Sequence, residues 1–324
     1  MKDEKTKTYD ILCVGACVQD ILIDGMSRES FDQPVTILRE AVFTSGGDAT
    51  NEAVVLSRLG SRTVLAARVD GGAVGDFLCA DLRKEGVGTD CLVRDADSRS
   101  TSAFVVLGEE GEHTFFLAKG ENEGISLEEM DLSVLQETRA VCIGSLYTSY
   151  RLDRGGAEEL MRLAKEAGVL TFADMDHDVE GLGTEAMDSV YPYIDYLIPS
   201  ISEAQYVTGR ESAPEAAEVL LKKGVGTVVI KLGSQGCYVK NATEEFYMDP
   251  YEVEPKDTTG CGDNFVAGFI HSILEGKSLY DSAKFACAVG AVNSQATGGH
   301  RAVRSREQIE AFMRMAAQRE IIRE

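Results

Sequence analysis

Short apolar runs alternate with amphipathic helical stretches along almost the whole chain, and this rhythm constrains the fold more than any other feature. Residues 9–15, 63–69, 140–145, 169–174, 196–199 and 227–232 read as strands buried on both faces. Between them, residues 49–59, 76–85, 127–137, 156–167 and 214–223 carry helical periodicity. Gly60, Gly86, Gly168 and Gly224 stand where helices commonly stop. Strands that alternate with helices imply a mostly parallel sheet covered on both faces, an α/β fold with three layers. The 324 residues are enough for one large core, and no linker or repeat divides them, so a single domain over 1–324 is expected.

Two regions break the rhythm. Residues 35–45 and 102–118 alternate apolar and polar side chains, and the second folds back through Gly108-Glu109-Glu110-Gly111. Residues 19–25 add a further edge. These segments, near 17–45 and 92–119, predict a small β-lid outside the main sheet that closes over a site and excludes water; the plainer reading is a sheet extension. The last third is helical: 263–275 has one apolar stripe ending at Gly276, 279–295 is rich in Ala and Gly, and 305–322 is capped by Ser305.

Composition narrows the function. A formal net charge of −22 disfavours nucleic acid and anionic membrane surfaces, which are bound through clustered Lys and Arg. It leaves anionic ligands open, because backbone N–H groups and one or two local cations suffice for a phosphate. No apolar run approaches the roughly 18 residues of a membrane span. Met1 to Lys5 runs into a short strand rather than a signal-peptide core. Eight cysteines are scattered singly, which fits reduced thiols in a cytoplasmic protein. The four histidines show no metal-ligand spacing.

The sharpest feature is Asp257-Thr258-Thr259-Gly260-Cys261-Gly262-Asp263, directly before an amphipathic helix. The glycines let the backbone turn with its N–H groups facing one point, and the helix dipole adds positive potential there. Such an anion hole suits a phosphoryl group in transfer, and Asp263 at the first turn is placed to take a proton from an attacking hydroxyl. A helix cap with a glycine turn is the plainer account of Gly-x-Gly-Asp alone.

The full seven residues resemble the second signature of the ribokinase-like PfkB family, D-T-x-G-A-G-D, with Cys261 in place of the usual Ala. The resemblance implies a ribokinase-like three-layer α/β/α kinase. In it Asp263 is the catalytic base, Gly260, Cys261 and Gly262 form the anion hole, and Asp257 and Thr259 help hold a monovalent cation such as K⁺. A thiol at a helix N-terminus is also expected to have a lowered pKa, which would make Cys261 reactive if accessible.

Gly46-Gly47-Asp48-Ala49-Thr50-Asn51-Glu52-Ala53 resembles the family's G-G-x-x-x-N-x-A segment, and Asp20 fits its sugar-binding aspartate. Asp20, Gly46, Gly47 and Asn51 are therefore the expected acceptor site. Pro199-Ser200-Ile201-Ser202-Glu203 resembles the N-x-x-E element, in which Glu203 would organise Mg²⁺ and its waters around the phosphates of ATP. Lys231, Gly233 and Gly236 resemble the turn beside ATP, and Asn293 is an expected adenosine-side contact. Ser200 replaces the usual Asn, and Asp174-Met175-Asp176 replaces the usual D-x-N, which suggests that Asp176 either pairs with Ser200 or meets the metal.

Rival readings are weaker. Gly15-Ala16-Cys17-Val18-Gln19-Asp20 lacks the second and third glycines of a dinucleotide fingerprint, and no P-loop exists. A nucleoside kinase of the same family, or a silent sugar- or nucleotide-binding module, remains open. Ile143-Gly144-Ser145, the 101–116 hairpin and Lys119 look somewhat more like fructokinase-type members than ribokinases. Phe104, Val106, Phe115 and Phe116 suggest a homodimer through the lid.

Overall fold

The computed structural model describes residues 7–107, 113–120 and 124–321. Strands β1 (Tyr9–Val14), β2 (Val18–Asp24) and β3 (Glu40–Gly46) lead into helix α1 (Asp48–Arg58). β4 (Thr63–Ala66) and β5 (Arg68–Asp70) precede α2 (Ala73–Lys84). β6 (Val93–Asp95), β7 (Ser102–Leu107) and β8 (His113–Ala118) precede β9 (Thr138–Leu146). Alternation resumes with α3 (Ala157–Glu166), β10 (Leu170–Met175), β11 (Tyr196–Leu197), α4 (Ile201–Thr208), α5 (Ala213–Lys222) and β12 (Thr227–Lys231). After β13 (Cys237–Lys240) and β14 (Glu245–Met248) come α6 (Cys261–Leu274), α7 (Leu279–Asn293) and α8 (Arg306–Met315).

The main sheet runs β14-β13-β12-β11-β10-β9-β1-β4, parallel from β12 to β4 and antiparallel at the β13 and β14 edge. Its pleat sorts side chains into two cores. Ile11 and Cys13 of β1 face the layer of α1, α6 and α7, whereas Leu12 and Val14 face that of α3 and α5. Every one of these four side chains is fully buried, so both faces are covered and the strands need no polar side. The result is the three-layer α/β/α core expected from the rhythm.

A second sheet, β3-β2-β7-β8, stands apart from the first. β7 and β8 pair antiparallel, Val105 opposite Phe115, as the alternation implies. The Gly108-Glu109-Glu110-Gly111 turn between them lies outside the described residues. β2 is not an edge: it pairs with β3 on one side and β7 on the other.

Other boundaries differ for local reasons. The helix expected over 127–137 is two short 3₁₀ turns, Leu127–Glu129 and Leu132–Gln136, the second opened by Asp131 accepting from the Ser133 N–H. The run 63–69 divides between β4 and β5. The last helix stops at Met315, where Ala316 turns extended. Beyond it, Arg319 N–H donates to Pro250 O and Glu252 N–H to Ala317 O, pinning the tail along 250–252. All eight cysteines are free. Among the described residues no helix is long and apolar enough to cross a membrane.

Candidate active site

The loop before α6 is shaped by one close approach. Gly260 has φ +69°, in the left-handed region, and a Cβ there would fall 2.0 Å from Gly299 O. Only glycine fits. Asp257 braces the loop from within: its Oδ1 accepts from Thr259 N–H at 2.7 Å and its Oδ2 from Gly298 N–H at 2.7 Å. Cys261 N–H turns back to Thr258 O. It is thus engaged in the loop rather than offered with Gly262 as an anion donor. Gly262 borders the cleft, where a Cβ would meet Lys231 Nζ at 3.4 Å.

Asp263 occupies the first turn of α6, and its Oδ2 accepts from Asn51 Nδ2 at 2.6 Å. Burial pushes its proton affinity above the ordinary carboxylate range, while Asn51 and the Lys231 ammonium pull it back and Asp176 pushes it further up. Lys231 is mostly covered, with its side chain 12% exposed at the cleft and Nζ 2.6 Å from both oxygens of Asp174. Burial opposes its charge, but Asp174, with Glu203 and Asp263 nearby, keeps it protonated beyond the usual lysine range.

A cleft of about 950 Å³ opens beside these groups, and Asp48, Ser145, Asp176, Glu203, Lys231 and Asp263 all border it. Gly233, Gly236 and Ser200 border it too, as expected, together with Arg319 from the pinned tail. Glu203 lies at the third position of α4. Its Oε2 accepts from Ser200 N–H at 2.6 Å, and Ser200 Oγ accepts from Glu203 N–H at 3.3 Å. The serine that replaces the usual Asn is therefore a helix cap, and its hydroxyl meets Ser202 rather than Asp176. Asp176 instead binds His177, and these two with Glu203 offer ligand atoms within 4.8 Å of one another. Spacing gave no sign of this: His177 lies in the loop after β10 and Glu203 in the first turn of α4, and only the sheet brings them together.

The acceptor residues gather next to Asp263, not on the cleft wall. Gly46 admits the Asp20 carboxylate, since a Cβ there would stand 2.1 Å from Asp20 Oδ2. Burial and then the charge of Asp263 push Asp20 up to about 7. Gly47 opens α1 with φ +93°. Asp48, given no role in the sequence reading, is half-buried, bonds Ser145 and is raised well above the ordinary range by desolvation and by Asp263. Its signal was its place directly after the Gly pair, on a face that only packing could choose.

Two expectations are corrected. Asn293 is fully buried and does not reach the nucleotide side. Its Nδ2 donates to Thr259 O at 2.9 Å and approaches Cys261 Sγ at 3.7 Å, so it braces the loop, while neighbouring Gly290, Ala291 and Ser294 border the cleft. The Cys261 thiol is not acidified: burial pushes it up to about 12, with only a partial offset from Asn293, which outweighs the helix dipole.

A mostly parallel open sheet, a carboxylate at a helix N-terminus and a cleft bordered by Lys231 and Arg319 fit a phosphotransferase acting on an alcohol group. The pfkB family carbohydrate kinase profile matches residues 8–305. An uncharacterized sugar kinase of Archaeoglobus fulgidus is 30% identical over 73% of this chain and 92% of its own length. The ribokinase of Haemophilus influenzae is 26% identical over 84% of this chain and 88% of its own. The crystal structure of a fructokinase with bound ATP from Xylella fastidiosa superposes with a TM-score of 0.80 at 20% identity, covering 95% of this chain and 98% of that one. The chain belongs to the PfkB family of carbohydrate kinases, an ATP-dependent family, and has the ribokinase-like fold.

Proposed function

We propose that the protein transfers the γ-phosphoryl group of ATP to a primary hydroxyl of a small sugar of the fructose or ribose class, with Asp263 as general base. The observation that carries this reading is the Asp263 carboxylate, half-buried at the N-terminus of α6, held by Asn51 and bordering the cleft. Its elevated proton affinity suits a base that must take a proton from a weakly acidic hydroxyl. The hydroxyl oxygen forms the new bond to phosphorus as the bond to the ADP oxygen breaks, and the hydroxyl proton passes to Asp263. Gly260 and Gly262 shape the loop that faces the developing charge, and Lys231 adds a fixed cation beside it.

Asp20 and Asn51 orient the sugar, with Gly46 and Gly47 admitting it close to the backbone. Asn51 has one amide hydrogen left for this after its bond to Asp263. Glu203, with Asp176 and His177 in reach of the same point, would hold Mg²⁺. When bound, Mg²⁺ neutralises the phosphates, which this acid-rich site otherwise repels. Asp257 and Thr259 would help hold K⁺; the buried Asn293 Oδ1 beside them has no hydrogen-bond partner among the described residues, which fits a cation there. Gly233, Gly236 and Lys231 flank the nucleotide. Within the domain spanning 1–324, the β3-β2-β7-β8 sheet is the lid.

ADP release with MgATP and K⁺ across ketoses, aldoses and nucleosides tests the assignment. Turnover confined to a ketose or aldose is the expected result; turnover confined to nucleosides would replace it by the nucleoside-kinase alternative. ATP binding without turnover would favour a silent module. Phe43 and Phe116 are about half exposed on one face of the lid sheet, in line with Ile21 and Phe104, and we read that face as a homodimer contact in a cytoplasmic enzyme. Light scattering should give twice the chain mass at micromolar concentration, and monomer alone would remove the dimer.

A further inference from the structure

The carboxylate assigned above as the base is not oriented by Asn51 alone. Asn51 Oδ1 lies 2.9 Å from Nδ1 of His300, and the two residues are 249 positions apart in the chain. Both are buried, His300 at 2% exposure and Asn51 at 6%. We propose that His300 is a positioning residue: it donates from Nδ1 to Asn51 Oδ1, fixes which way the Asn51 amide faces, and so keeps an N–H on Asp263.

Hydrogen-bond parity fixes the direction of the Asn51 amide. An amide can turn over, exchanging oxygen for nitrogen with little change of shape. Turned over, Asn51 would set its oxygen 2.6 Å from the carboxylate oxygen of Asp263, acceptor against acceptor. An Nδ1–H on His300 forbids that arrangement, because it would then face an NH₂. The opposite tautomer, with bare Nδ1, would favour it. The His300 tautomer and the charge on Asp263 are therefore linked through one amide.

The surroundings hold the imidazole neutral and still. Arg58 donates to His300 O at 2.5 Å and to Val303 O at 2.8 Å, clamping the backbone on both sides. Burial, then the Arg58 charge, lowers the His300 pKa to about 4, with Arg301 acting the same way and Glu85 and Asp81 opposing. Around physiological pH His300 thus supplies a donor without a charge. A Cβ on Gly299 would meet the Asn51 amide at 2.9 Å, so backbone closes over it and the amide has little room to swing aside.

The consequence falls on the proton affinity of Asp263. Facing that carboxylate are Lys231 of β12, Asp174 of β10 and Asp176 just beyond it, Asp20 of β2, and Asp48 and Glu52 of α1. Five acids oppose one cation there, so the Asn51 N–H is a main stabiliser of the ionised base. Losing it raises the Asp263 pKa, and the acid limb of the kcat profile moves to higher pH.

This inference rests on Asp263 being the base, and the test separates the two. His300→Leu, His300→Asn and Asp263→Asn are compared with wild type by kcat and KM from pH 5 to 9. In His300→Leu the acid limb should move up by about one pH unit, as loss of one charge-assisted hydrogen bond implies, with KM for ATP unchanged. His300→Asn, which retains a donor at the same branch of the side chain, should restore most of the shift. An unshifted limb in a folded His300→Leu overturns the relay while an inactive Asp263→Asn leaves the base assignment intact. An active Asp263→Asn overturns both. Should His300→Leu fail to fold, nitrogen NMR of wild-type imidazoles decides: a neutral Nδ1–H tautomer for His300 at pH 7 is expected, and an Nε2–H tautomer overturns the proposal.

Discussion

Asp263→Asn should lose roughly 10²- to 10⁴-fold in kcat while remaining folded. The asparagine can present its own oxygen to Asn51 Nδ2 at the same 2.6 Å site, so the bond that ties α1 to α6 survives and only the base is lost. KM for ATP should change little, since the side chain acts on the acceptor proton. Because burial raises the Asp263 pKa, the wild-type acid limb should lie above the ordinary carboxylate range, where a base with a depressed pKa would show none. Below its pKa the base is protonated and turnover falls tenfold per pH unit. Steady-state kinetics with the acceptor identified by the sugar panel measures this, and a variant within tenfold of wild type would end the assignment.

Lys231→Met should destabilise the fold by about 3–5 kcal/mol. Asp174 is only 3% exposed, and both its oxygens take their bonds from Lys231 Nζ at 2.6 Å. Methionine fills most of the space but leaves a buried carboxylate without its cation, beside Glu203 and Asp263. Adding Asp174→Leu to Lys231→Met should recover much of the loss, because removing both charges avoids the unpaired one. Turnover should stay low in the double variant, since the fixed cation near Gly262 is gone. Urea denaturation reads the first effect; a single variant within about 1 kcal/mol of wild type would show that the pair is not the brace described.

The expected effects differ in kind because the two residues are tied in differently. Asp263 sits on a helix turn that its own sequence builds, and its substitution leaves the packing alone. Lys231 ends a central strand and reaches past β11 to Asp174 on β10, so its loss is felt by the sheet.

The layered α/β core, the small second sheet, a helix following the Gly260–Gly262 turn and the position of Asp263 in its first turn were legible in the chain itself. Each is a local property: a two-residue or 3.6-residue period, a glycine that only a left-handed turn needs, a carboxylate one turn into a helix. What lies between distant segments was not legible. Asn51 meets Asp263 across 212 positions and His300 across 249, and nothing near any of the three announces the contact. Lys231 read as a nucleotide contact, and the fold gave it Asp174 as a partner. Cys261 read as acidified by a helix dipole, but Asn293 and the loop close over it, and desolvation in a packed interior outweighs a partial charge at a helix end. Sequence periodicity determined which faces are buried. Burial and charge around each group were decided only by tertiary packing, because both depend on neighbours that the chain brings together from far apart.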